Sequence, residues 1–101
     1  MLGCAMGMVI SILEAEMPTD KAAKLEANFA EGAKALDPGV VQMLFVRNAG
    51  KCKILILWES KEALSAMKSR GTPKTVLMFR YAGVEPSVLA YDVVNSASRG
   101  K

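Results

Sequence analysis

The 101-residue chain contains no histidine. That absence removes the Ser-His and Cys-His nucleophile pairs, the HExxH zinc site and any imidazole acid or base at neutral pH. Cysteine is almost as scarce. Cys4 and Cys52 have no CxxC spacing and are too few for a disulfide scaffold, which reads as one tail thiol and one small buried residue. The glycines assemble neither a GxGxxG nor a phosphate loop. No apolar run approaches the ~18–20 residues of a membrane span. No basic region precedes Leu2-Gly3-Cys4, so a secretion or lipoprotein signal is not expected, and the sequence predicts a cytoplasmic protein without a membrane partner. Charge of one sign is also short. Thirteen Lys and Arg against ten Asp and Glu leave only +3. The basic groups Arg47, Lys51, Lys53 and Lys68, Arg70, Lys74 have no interleaved aromatics, which argues against nucleic acid and for solvated edges.

What remains is apolar. AVILMFWYC residues make up 51% and charged residues 23%, with a mean hydropathy of +0.23. The length suits one domain. The pattern predicts that domain over residues 8–95, with flexible tails at 1–7 and 96–101 and with Met1, Met6 or Met8 as the start.

Met8–Ala15 is short and β-branched and reads as a strand. Met17-Pro18-Thr19-Asp20 supplies helix-start chemistry, and Ala22, Leu25, Phe29, Gly32 and Leu36 recur at helical spacing until Asp37-Pro38-Gly39. Val40–Val46 and Cys52–Trp58 read as strands joined by a short turn at Arg47–Lys51. Ser60 is the expected N-cap of a helix carrying Ala63, Leu64 and Met67 inward. Thr72-Pro73 begins a segment, Thr75–Tyr81, whose composition suits a strand and whose start suits a helix. Val88–Val94 is the last strand. The order β-α-β-β-α-(α)-β is an α+β, ferredoxin-like split βαβ arrangement with an antiparallel sheet.

Helices in that topology cover one sheet face, yet these strands are apolar on both. Ile54, Ile56 and Trp58 alternate with Leu55 and Leu57, and Val41, Met43 and Phe45 with Val40, Leu44 and Val46. Leaving one face in water exposes about ten apolar side chains, roughly 15–30 kcal/mol as an upper bound. A homodimer with its two sheets face to face is the expected remedy.

The segment Ile56-Leu57-Trp58-Glu59-Ser60-Lys61-Glu62-Ala63-Leu64 resembles the strand-to-helix passage of the antibiotic biosynthesis monooxygenase-like proteins. Leu89-Ala90-Tyr91-Asp92-Val93-Val94 is similar to their final strand, and the resemblance covers roughly residues 8–95. It implies a dimeric α+β barrel with a pocket between the sheet and helices of each protomer. One branch of the family oxidises aromatic polyketides without a cofactor, using a tryptophan, an asparagine and an arginine. Trp58 matches the tryptophan, Ile54 stands near the place of the asparagine, and Arg80 is the candidate arginine. A haem-degrading branch uses a histidine and a first-strand asparagine. Here Met67 and Leu77 stand about where that branch has its pocket tryptophan and histidine, and Met8–Ala15 has no asparagine.

The candidate catalytic residues are therefore Trp58 and Arg80. With Tyr81 they offer hydrogen bonds to a substrate anion while oxygen attacks. The candidate ligand-binding residues are Met43, Phe45, Ile54, Ile56, Met67, Met78 and Tyr81, the methionines being adaptable pocket walls or ordinary core filling. Glu14 and Glu16 share a strand face, as an acid/base pair or as a solvated strand end. No metal and no cofactor is expected. The functional expectation is a small hydrophobic or aromatic ligand, with cofactor-independent oxygenation set against non-catalytic binding by the same fold.

Overall fold

Four strands and three helices follow one another in the order β1 Val9–Glu16, α1 Thr19–Gly32, β2 Val40–Asn48, β3 Lys51–Trp58, α2 Lys61–Ser69, α3 Lys74–Tyr81 and β4 Ser87–Asp92. The computed structural model describes residues 7–97 and Arg99. The expectations for the tail at 1–6, for Cys4 and for the tail positions 98, 100 and 101 lie outside the described residues. The sheet is antiparallel in the spatial order β2-β3-β1-β4. This is the split βαβ arrangement, an α+β ferredoxin-like fold.

Period-two alternation decides which side chains meet the helices. In β1, Val9, Ser11 and Leu13 face inward, and in β3 Cys52, Ile54, Ile56 and Trp58 do the same, all buried. The register places Ser11 opposite Ile56, Leu13 opposite Ile54 and Val9 opposite Trp58. Leu25 of α1, Leu64 and Met67 of α2 and Phe79 of α3 close over them. Strand β2 departs from simple alternation. A bulge between Val40 and Gln42 sends Val40 to the Trp58 side, together with Met43 and Phe45. The expected split of this strand is thus corrected: Val41 lies at the bulge, exposed, instead of joining the inward set.

The other face carries two apolar rows across the sheet. Leu44, Leu55, Ile12 and Leu89 form one, and Leu57, Ile10 and Tyr91 another. At the hairpin end the rows give way to charge, where Glu14 lies 3.4 Å from Lys53 and 3.7 Å from Lys51. The carboxylate pair and the basic tip foreseen separately are thus one solvated ion-pair cluster as far as Glu14 is concerned.

Helix ends follow from local chemistry. Ser60 accepts from the Ala63 amide at 3.0 Å as the N-cap of α2. Pro18 and Pro73 occupy the N-cap positions of α1 and α3 with no side-chain cap bond, so Thr19 and Thr72 are not the caps their chemistry suggests. Residues 74–81 are helical, which decides the ambiguous segment. Helix α1 stops at Gly32, short of Leu36, which is exposed. Glycine is a poor helix former, and a Cβ at this position would collide with the Met78 methyl. The missing side chain lets α3 pack onto the last turn of α1, and Asn28 Nδ2 fastens the contact by donating to the Met78 carbonyl at 2.9 Å.

Two turns differ in how well their residues suit them. Pro38-Gly39 forms a turn closed by the Val40 amide on the Asp37 carbonyl (3.1 Å), with Gly39 at φ +89. A Cβ there would also strike Ala63. In the β2–β3 hairpin the residue at positive φ is Ala49 (φ 56), not the following glycine. Gly39→Ala is expected to destabilise the fold by about 1–3 kcal/mol. Ala49→Gly is expected to stabilise it by roughly 0.5–1 kcal/mol, by relieving a left-handed alanine. Urea midpoints of the two variants check this pair of opposite signs.

Candidate functional site

The inward face of the sheet and the helix layer do not close completely. A narrow crevice of about 20 Å³ remains beside Trp58, walled by Val40, Met43, Ile56, Met67 and Met78, with Asp37, Lys74 and Thr75 at its edge. Each wall has a separate origin. The bulge delivers Val40, alternation delivers Met43, Ile56 and Trp58, and helical spacing delivers Met67 and Met78. Gly32 gives Met78 its room. At the rim, Lys74 Nζ donates to the Ala35 carbonyl at 2.7 Å, tying the start of α3 to the segment after α1.

A second void of about 40 Å³ lies against the same partition. Ile56, Met67 and Thr75 border both, and Ser11, Leu13, Leu64 and Val88 are among the walls of the second. Trp58 is 1% exposed, and its Nε1–H donates to the Ser11 Oγ at 3.1 Å inside the core. An indole in this position needs a partner for its N–H, and a first-strand hydroxyl supplies it.

The structure therefore gathers five of the sequence-predicted residues, Met43, Ile56, Trp58, Met67 and Met78, around one crevice. It places the other four elsewhere. Ile54 is fully buried between Leu13 and Phe45 in the sheet register. Phe45 packs on Phe29, ring centroids 5.8 Å apart. Tyr81 is 73% exposed. Arg80 is on the surface, where its Nε and Nη2 donate to the two carboxylate oxygens of Glu85 at 2.9 and 3.0 Å. That bidentate pair raises the guanidinium pKa and lowers that of Glu85, the hydrogen bond being the main cause in both. Ser11 and Thr75 were not foreseen. The signal for Ser11 was there, as the one hydroxyl within the inward apolar set Val9, Ser11, Leu13.

A more open hollow of about 670 Å³ lies beside the hairpin and includes Glu16, Arg47, Asn48, Lys51 and Lys53. Its lysines are within ion-pair distance of Glu14. Among the described residues no cluster of His, Cys, Asp and Glu could hold a metal ion, and no helix is long and apolar enough to cross a membrane.

Solved structures with this arrangement of strands and helices are informative. A Caulobacter crescentus protein assigned as an antibiotic biosynthesis monooxygenase superposes with a TM-score of 0.66 at 26% identity, over 90% of this chain and 93% of its own. The heme-degrading protein of Mycobacterium tuberculosis gives 0.66 at 27% identity, over 91% and 97%. A cofactor-independent oxygenase from Streptomyces nogalater gives 0.59 at 15% identity, over 94% and 96%, a likeness of fold. The chain has the fold of the antibiotic biosynthesis monooxygenase-like proteins and resembles them over most of its length. No family model and no curated protein sequence matches it.

The two enzymatic patterns that the resemblance brings fit this chain unequally. The residues do not suit a haem: the chain has no histidine, Met67 lines the crevice as a thioether, and Leu77 lines neither void. Trp58, which the resemblance sets against the oxygenase tryptophan, lines the crevice.

One potential nucleophile is buried at the other end of β3. Cys52 is fully inaccessible on β3, outside the crevice lining. Burial pushes its thiol pKa up, against a smaller opposing effect of Arg47. With the folded pKa above the unfolded one, its contribution to stability is intact at neutral pH. It is lost as the pH rises from the ordinary thiol value through the folded one. Cys52 is expected to resist iodoacetamide in the native protein and to react in urea, as peptide mass mapping would show. Cys52→Ala is expected to flatten part of the alkaline loss of stability.

Proposed function

We propose that the chain works as a homodimer, its uncovered sheet faces packed together, and that each protomer binds a small, mainly apolar aromatic molecule in the Trp58 crevice. The carrying observation is the wall composition: Met43, Met67 and Met78 surround the void against Trp58. Unbranched thioethers re-pack around irregular ligands at low cost, so a crevice of about 20 Å³ in this structure can widen by rotamer changes alone. The homodimer rests on the apolar rows through Ile12 and Ile10 on the face the helices leave bare.

The reaction that this reading brings to the crevice is cofactor-independent oxygenation. An activated carbon acid such as an anthrone gives up a proton and then electrons to O₂, and its CH₂ becomes a carbonyl with release of one water. The electrons come from the substrate, so the protein's part is to hold the aromatic body dry and to stabilise its anion. One observation favours a second reading, non-catalytic binding. Both expected donors are engaged within the protein, Trp58 with Ser11 and Arg80 with Glu85.

Trp58 is the single tryptophan, so its emission reports on the crevice directly. Anthrone titration is expected to quench Trp58 fluorescence saturably and to drive O₂ uptake of one molecule per anthrone above the protein-free rate. Trp58→Phe is expected to reduce uptake by at least about tenfold, roughly 1.4 kcal/mol of barrier. Quenching without uptake selects the non-catalytic reading, and the absence of both across a panel of anthrones and quinols excludes a ligand of this class.

A further inference from the structure

We infer that the hydroxyls of Ser11 and Thr75 form the polar anchor of the crevice and grip an oxygen atom of the ligand, making a ketone or enolate oxygen the recognised group. This rests on the reading of the Trp58 crevice as a ligand site.

Among the described residues, Ser11 and Thr75 are the only buried polar side chains, 5% and 7% exposed. They come from different layers, Ser11 from the central strand β1 and Thr75 from the first turn of α3, yet both border the void behind Met67. Their hydrogen bonding is incomplete in the same sense. Ser11 Oγ accepts from Trp58 Nε1, and no described residue accepts its proton. Thr75, the second residue of α3, has no helical carbonyl one turn before it to bond, and among the described residues its side chain finds no hydrogen-bond partner. Two hydroxyls thus border one small, mainly apolar space, each able to donate a proton to an acceptor placed there. What satisfies both is an acceptor atom. The Trp58 bond strengthens the case, because a hydroxyl that accepts a hydrogen bond becomes a better donor.

Geometry also limits the rest of the ligand. The two voids share Ile56, Met67 and Thr75 as their partition. Ile56 is fixed within the sheet and Thr75 within a helix, which leaves the Met67 side chain as the part that can swing aside. With it displaced, the voids join into one slot with its oxygen-binding end at Ser11 and Thr75 and its apolar end against Trp58, Met43 and Met78. A compact aromatic ketone suits that order of groups.

The test compares 1-indanone with indane, two molecules of nearly one shape that differ by the carbonyl, by calorimetric titration of the full chain. The wild type is expected to bind 1-indanone roughly tenfold more tightly than indane. Thr75→Val, which keeps the side-chain shape, is expected to bring the ratio near one while indane affinity stays within about twofold. Ser11→Ala should do the same. If the loss of the Trp58 partner unfolds that variant, Thr75→Val alone carries the comparison. Equal binding of the two probes to the wild type would overturn the hydroxyl anchor and leave the apolar crevice standing. Binding of neither would overturn both.

Discussion

A sheet that is apolar on both faces is the constraint on which the rest of this molecule depends. The central strands β1 and β3 put Leu13, Ile54, Ile56 and Trp58 under the helices and Ile10, Ile12, Leu55 and Leu57 on the opposite face. Three helices suffice for one face only. The first set fixes a core that holds the crevice. The second leaves two apolar rows that, at ~1.5–3 kcal/mol for each side chain fully buried, represent a large stabilisation for whatever covers them. A second copy of the chain is the proposed cover, since the same rows are then complementary to themselves about a two-fold axis.

The crevice exists because several local features coincide. A bulge turns Val40 inward, a glycine at the end of α1 admits Met78, and the bend at Pro73 starts α3 so that Thr75 faces the core. None of these is a catalytic motif. Together they leave room next to the single tryptophan, in a wall of thioethers with two hydroxyls on its far side. Such a site suits chemistry in which the substrate brings its own reactivity and the protein supplies dryness, orientation and a place for negative charge. The arginine that the superfamily resemblance nominated lies at the surface, held by Glu85. The buried hydroxyl pair is the more natural place for an anion in this chain.

Much of the architecture was legible in the sequence. Alternation in 52–58 located β3 nearly to the residue and the Ser60 cap located the start of α2, because both signals are local. The element order then fixed the topology. The bulge at Val41 was not legible, since a one-residue slip depends on packing across strands and on no residue type in β2. The end of α1 was missed because Leu36 continues the helical stripe, while the helix stops at Gly32, a poor helix former. For the site, spacing found the side chains that share a face with Trp58. It failed for Arg80 and Tyr81, because a helix assigned only after the fold is known decides which of its residues turn outward. Ser11 was readable as a hydroxyl at a core position. Thr75 was not, while its segment stood between strand and helix.

The measurement that bears most directly on the two-faced sheet is sedimentation equilibrium of the purified full chain at micromolar concentration. A dimer built on the bare sheet face predicts a mass of two 10.8 kDa chains, and a charge placed at the centre of that face by Ile12→Glu is expected to return it to one. A wild-type chain that sediments as a soluble, folded monomer would contradict it, and the uncovered rows of leucine and isoleucine would then need a different explanation.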